Sequence, residues 1–181
     1  MTFLPISTID ELGPGARSAL DRELGVHDEP VSTTQLTLLG HVPSFTAYAA
    51  WAALRDELQP YIGERAVSLL SYSISEEADA LIGTTYFRRL LVDAGEDLDN
   101  PQLTETEQLL MDWGRRIAAG PGQIPDDMYA RLERAFNPKL RLMLVAFAGQ
   151  LVALNLFTTV GRVPLDESLY SYRRPGDTRT A

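Results

Sequence analysis

The segment from Asn137 to Gly161 reads NPKLRLMLVAFAGQLVALNLFTTVG, and its reading decides the fold. Leu142 to Gly161 carries no charge and is flanked by Lys139, Arg141 and Arg162, so it is long enough to be weighed as a membrane span. Gly149, Gln150, Asn155, Thr158 and Thr159 interrupt it, and a lone span this late in a polar chain has no clear role. Its ends are those of a soluble helix. Asn137 followed by Pro138 supplies an N-cap and a first-turn proline, and Gly161 is a stop. The run is rich in Leu and Ala rather than β-branched residues, which favours a buried core helix over a strand or a span.

The segments upstream share that grammar. Thr104-Glu105-Thr106-Glu107 matches a reciprocal capping box, with Leu109, Leu110, Trp113 and Ile117 as the apolar stripe and Gly120-Pro121 as the stop. Pro14 to Leu24, Ser32 or Thr33 to Leu39, and Pro125 to Ala135 read as shorter helices. A stronger one begins at Pro43-Ser44, with Phe45, Tyr48, Ala49, Ala52 and Leu58 on one face and Pro60 and Gly63 at its end. Glu64 to Ile74 resumes the pattern. Ser75 followed by Glu76, Glu77 and Asp79 then reads as a new helix start, where carboxylates oppose the positive helix end, and this helix runs to Ala94 with Gly95 as its stop. No segment sustains the two-residue alternation of a strand. The expectation is an all-α bundle of about seven or eight helices: a single domain over residues 1–171 and a mobile tail over 172–181.

Composition removes whole classes of chemistry. The 181 residues include no cysteine and two histidines, His27 and His41, with a net charge of −9. Disulfides, iron–sulfur clusters and thiolate zinc sites therefore have no ligands here, and no metal and no cofactor is expected. The acidic balance argues against nucleic acid or an anionic membrane as partner. The N-terminus has no basic region or long apolar run, so no signal peptide is expected and the cytoplasm is the expected compartment. Phosphate-binding glycine loops, H-E-x-x-H and G-x-S-x-G are absent from the sequence.

What remains is modest. His27 lies beside Asp28 and Glu29 and reads as a solvated loop residue, while His41 in Gly40-His41-Val42-Pro43 reads as a turn residue. Glu76 and Asp79 share a helical spacing that could hold a ligand, although a role in the helix start is preferred. Tyr48, Tyr61, Tyr72 and Tyr86 could line a pocket, although core packing with satisfied hydroxyls is preferred.

From about Leu38 to Pro164 the order of segments resembles the carboxymuconolactone decarboxylase / alkylhydroperoxidase AhpD-like superfamily. The likeness rests on Leu39-Gly40-His41-Val42-Pro43, Glu64-Arg65-Ala66-Val67-Ser68-Leu69-Leu70, Tyr86-Phe87-Arg88-Arg89-Leu90-Leu91 leading into Ala94-Gly95-Glu96-Asp97, the start Leu103-Thr104-x-x-Glu107, Ile124-Pro125-Asp126, and a last apolar helix containing Asn155. The resemblance implies an AhpD-like helical bundle and a homodimer or higher homo-oligomer. Peroxidase-type members carry an acidic residue, then C-x-x-C-x-x-x-H, with a reactive thiolate and a resolving thiol. Counted forward from Glu64, those positions fall on Glu76, Asp79 and Gly83; counted back from Gly95, they fall on Ala80, Gly83 and Phe87. Neither set holds a cysteine or histidine. The two sets differ by one helical turn and are expected to share a face, opposite Glu64, Ser68 and Ser71 or Tyr72.

The leading expectation is a member without thiol peroxidase chemistry, degenerate or serving in binding and assembly, with a small-molecule ligand as partner. The alternative is an acid/base enzyme, decarboxylase or isomerase in type, acting on a small organic acid or lactone. It would use Glu64, Glu76 and His41, in a pocket lined by Ser68, Tyr72, Asp79, Ala80, Gly83, Tyr86 and Phe87.

Overall fold

The computed structural model describes residues 2–24 and 30–174. His27 and the end of the tail from Pro175 lie outside the described residues. The described residues hold eight α-helices and no strand: α1 (Pro14–Leu24), α2 (Thr33–Leu38), α3 (Val42–Ile62), α4 (Glu64–Glu77), α5 (Leu81–Asp93), α6 (Glu105–Ala119), α7 (Asp126–Ala135) and α8 (Pro138–Val160). Short 3-10 turns lie at Ile9–Glu11, Pro121–Gln123 and Glu167–Tyr172.

Helix α4 is the axle of the bundle, packed against α3, α5, α6 and α8. Every residue from Ala66 to Ser75 is buried. A helix buried all round must satisfy its own polar groups. Ser71 Oγ donates to the Val67 carbonyl and Ser73 Oγ to the Leu70 carbonyl, each at 2.8 Å. These small side chains also let neighbours close in: a Cβ built on Gly114 of α6 would lie 2.3 Å from Ser73 Oγ. The main core spreads from α4 through Leu110, Trp113, Leu144 and Phe147. A second cluster joins Leu12, just before α1, to Leu20, Leu38 and Phe45 of α1, α2 and α3.

The first turn of α4 is tied down by charge. Arg65 donates through Nε to Glu96 and through Nη1 to Glu107 of α6. The other oxygen of Glu107 closes the expected capping box, accepting from Thr104 N at 2.8 Å and Thr104 Oγ1 at 2.9 Å. Burial pushes the Glu107 carboxyl up, but the bonds from Arg65 and Thr104 outweigh it and hold it below the usual carboxylate range.

Four expectations need correction. Ser75 does not start a helix: α4 runs on to Glu77, and Ser75 is fully buried within it. The chain stops there in a Schellman turn, with Asp79 N donating to the Glu76 carbonyl, Ala80 N to the Ser75 carbonyl, and Asp79 at φ +52° in the position usually held by glycine. Glu76 therefore sits at the negative end of its helix, where Tyr72 donates to it at 2.8 Å and Arg174 lies 3.6 Å away. Pro60 does not end α3, which continues to Ile62, because a proline in the last turn forfeits one bond only. Helix α8 is not buried all round: Leu142, Val145, Leu156 and Val160 stay more than half exposed. Finally, the tail is held at its beginning, since Tyr172 Oη donates to Asp93 Oδ1 at 2.7 Å and Arg174 approaches Asp79 at 3.5 Å.

Candidate functional site

A cavity of about 520 Å³ lies among α2, α3, α5 and α8, closed on one side by Asp166 and Leu169. Its walls are largely apolar and aromatic. Trp51 stacks on Phe147 with centroids 5.9 Å apart and meets the edge of Phe87 at 5.8 Å. Tyr86 packs edge-on to Phe87 at 5.1 Å, and Tyr48 leans on Phe157 at 5.2 Å. The Arg55 guanidinium lies 5.2 Å above the Trp51 ring, its Nε bonded to Asp56.

The polar groups on the wall divide into two sets. One set is spent on the fold. Ser32 caps α2 through Gln35 N, and Thr33 donates its N and Oγ1 to Asp166, which ties the entry of α2 to the segment after α8. Asn155 of α8 donates through Nδ2 to Ser75 Oγ of α4 at 3.0 Å. The other set has no protein partner: Trp51 Nε1 and Thr34 Oγ1 are both buried without a hydrogen bond. A buried donor left unmade costs about 1–3 kcal/mol. Both atoms belong to residues of the cavity wall.

The structure places the sequence-derived candidates unevenly. Gly83, Tyr86 and Phe87 line the cavity, whereas Ser68, Tyr72, Asp79 and Ala80 do not. Ser68, Tyr72 and Ala80 are buried in the packing between helices and Asp79 is exposed in its turn. Burial and the bond to Glu76 push the Tyr72 phenol up to about 12. Of the tyrosine set, Tyr48 and Tyr86 are on the cavity wall, and Tyr61 is 58% exposed rather than packed in the core.

Glu64, Glu76 and His41 are not brought together. Glu64 and Glu76 lie at opposite ends of α4, twelve residues and about 18 Å of helix rise apart. His41 is exposed, with Nδ1 bonded to Ser44 Oγ at 2.8 Å. None of the three lines the cavity. Among the described residues no three His, Asp or Glu side chains converge to hold a metal ion.

The two alignments of the thiol motif also separate. Glu76 and Asp79 fall on the end of α4, while Ala80, Gly83 and Phe87 occupy the cap and first two turns of α5. They do not share a helix face, because the chain turns between Glu77 and Leu81. A reactive thiolate gains from a helix N-terminus, which the second alignment provides. Position 83 is closed to any side chain: a Cβ there would lie 2.4 Å from Asn155 Oδ1 and 2.6 Å from Ser75 Oγ.

Sequence reasoning missed Thr34, Trp51 and Arg55. Trp51 lies three residues beyond Tyr48 on the apolar face of α3, so its place on the wall was readable. Thr34 carries no such signal, because its burial depends on α8 and the following segment folding over α2.

No family model and no curated protein matches the chain. Among solved structures, a cysteine-to-alanine variant of the debrominase Bmp8 in complex with 2,3,4-tribromopyrrole is similar, with a TM-score of 0.72 and 13% identity over 95% of each chain. That neighbour has the AhpD-like fold. At this identity the likeness shows that the present chain shares the helical fold, and nothing finer.

Proposed function

We propose that this protein is an AhpD-like binding domain that takes a small, largely apolar, ring-sized ligand into the cavity beside Trp51 and performs no thiol chemistry on it. The observation that carries the reading is the cavity of about 520 Å³ itself, largely apolar and aromatic, whose lining includes Trp51 and Thr34, the holders of two unpartnered donors. That volume falls in the range of small-molecule sites, which combine apolar walls with a few fixed polar groups. A ligand presenting an aromatic face to Trp51 and an acceptor to its N–H would make one of the two missing bonds. The neighbour's complex with a brominated pyrrole is in keeping with a ring-sized guest.

The absence of thiol chemistry follows from zero cysteines and from the closure of position 83 by Asn155 and Ser75. The acid/base reading that relied on Glu64, Glu76 and His41 finds no support in their separation.

The test uses 2,3,4-tribromopyrrole as the probe. Titrated into the protein and followed by calorimetry, it should bind saturably, and Ala52→Phe, which drives a ring into the cavity, should abolish the heat while leaving the thermal midpoint within a few degrees. Trp51→Leu, which removes the aromatic face, should weaken binding about tenfold. Equal binding by wild type and Ala52→Phe would overturn the assignment of the cavity. Turnover of a hydroperoxide with a dithiol donor would overturn the chemical half of the proposal.

A further inference from the structure

We infer that the exposed face of α8 is an antiparallel two-fold interface with a second copy of this chain, centred on Gly149. The face is apolar although it has no protein cover. Leu142 is 73% exposed, Val145 62%, Leu156 63% and Val160 62%. At 100° per residue these four, with Gly149 and Ala153, fall within about 40° of one line along the helix. The spacing 142, 145, 149, 153, 156, 160 approximates the alternating three-and-four step of a coiled-coil seam. A core helix has no use for a second such stripe opposite the one it buries.

The pattern is self-complementary about one point. In an antiparallel pair centred on Gly149, position 142 meets 156 and position 145 meets 153. Leu142 thus faces Leu156 and Val145 faces Ala153, so leucine seals the flanks while large meets small near the centre. At that centre Gly149 has open space where a side chain would be, with nothing within 4 Å. A glycine there lets two helix backbones approach closely.

Charge agrees with the antiparallel sense. Lys139 is exposed in the first turn of α8, the end at which a cation is unfavourable, with its Nζ 5.9 Å from the Tyr61 ring centroid and no acidic residue in that turn. Antiparallel pairing lays it beside the last turn of the partner helix, whose carbonyls favour a cation.

The area is sufficient. The stripe runs about 27 Å from Leu142 to Val160. Ala47 of α3, whose carbonyl accepts from Gln150 at 2.7 Å, and Ala50 one turn on extend the patch sideways with small exposed side chains. Two helix widths over that length give a flat footprint of about 540 Å², which after surface relief approaches the roughly 800 Å² per partner of a standard interface. A bilayer is the poorer occupant. The opposite face of α8 is locked into the core through Leu144, Phe147 and Leu151, and the chain carries a net charge of −9.

The cysteine-free sequence makes the test direct. Sedimentation equilibrium of the full chain at 1–50 μM should give twice the 20.0 kDa chain mass. Leu156→Glu should give the single-chain mass with an unchanged helical spectrum. Gly149→Cys, at an exposed open position, should form an intermolecular disulfide under mild oxidation. Leu142→Cys and Leu156→Cys should cross-link poorly alone and well when mixed, whereas Tyr129→Cys on exposed α7 should not cross-link. A single-chain mass at 50 μM overturns the proposal, and co-sedimentation of that monomer with phosphatidylcholine vesicles would assign the face to a bilayer instead. A dimer in which Leu142→Cys cross-links with itself overturns the antiparallel register.

Discussion

Asn155 and Ser75, eighty residues apart in sequence, share a hydrogen bond of 3.0 Å that fills the place where a side chain on Gly83 would stand. The pair joins α8 to α4 directly beneath the first turn of α5. The same space is therefore a helix junction and the point at which a thiol would have to enter the cavity. Gly83→Ala should destabilise the protein by about 1–3 kcal/mol, the usual cost of forcing a methyl group into a packed interior. Urea denaturation would measure it. Combined with Asn155→Ala, the loss should be smaller than the sum of the two single losses, because the amide that collides with the new methyl is gone. Strict additivity would mean that Asn155 is not what closes the position.

The unpartnered hydroxyl of Thr34 leads to a trade between stability and binding. Replacing a buried, unpaired hydroxyl by a methyl group of the same shape removes a desolvation cost without opening a cavity. Thr34→Val should raise stability by about 1 kcal/mol, seen as a higher thermal midpoint, and should weaken binding of a guest that presents an acceptor to the hydroxyl, while the tribromopyrrole probe, a donor, should bind as before. A variant that is less stable than wild type would show that the Thr34 hydroxyl already has a partner.

The fold was largely readable because its signals are local. The Asn137-Pro138 start of α8, the Thr104–Glu107 box of α6 and the glycine at 95, which takes φ +87°, each mark a helix end within a few residues of sequence. The misreading at Ser75 has the same origin. Serine followed by acidic residues describes a helix start on local grounds, and only the burial of Ser75 against Asn155 reveals an interior helical residue. Asp79 compounds it by standing in a left-handed position that sequence rules assign to glycine. The cavity was less legible, since Thr34, Trp51 and Asn155 come from three separate helices. No sequence spacing relates them.

Tyr72 provides a spectroscopic check on the buried end of α4. Its phenol is raised to about 12, first by burial and then by the bond to Glu76. A raised phenol pKa stabilises the native protein fully below the unfolded value near 10, and that contribution is lost as pH rises through the native value. Ultraviolet titration should therefore leave at least one tyrosine protonated at pH 11, and Tyr72→Phe should remove the late step that remains in a Tyr172→Phe background, Tyr172 also being raised by its bond to Asp93. The variant's stability should differ from wild type by a smaller margin at pH 11.5 than at pH 8. Full ionisation of all seven tyrosines by pH 11 would contradict the burial of this phenol.

Arg65 gives the acid side of the same profile. Its guanidinium holds Glu96 and, with Thr104, Glu107 below the ordinary carboxylate range. A lowered carboxylate pKa contributes stability that is complete above the unfolded value of about 4.3 and disappears as pH falls through the native value. Wild-type stability should therefore fall steeply below pH 4. Arg65→Met removes the shared cation while keeping much of the side-chain packing. It should cost about 2 kcal/mol at pH 7, the range of charged hydrogen bonds, discounted because the guanidinium is one-third exposed. The gap between variant and wild type should then narrow as the pH is lowered toward 3, because protonated Glu96 and Glu107 no longer need the charge. Denaturant midpoints measured from pH 7 to pH 3 would show this convergence. A gap that stays constant across the range would mean that Arg65 acts through its apolar stem, packed against α6, and not through the two carboxylates.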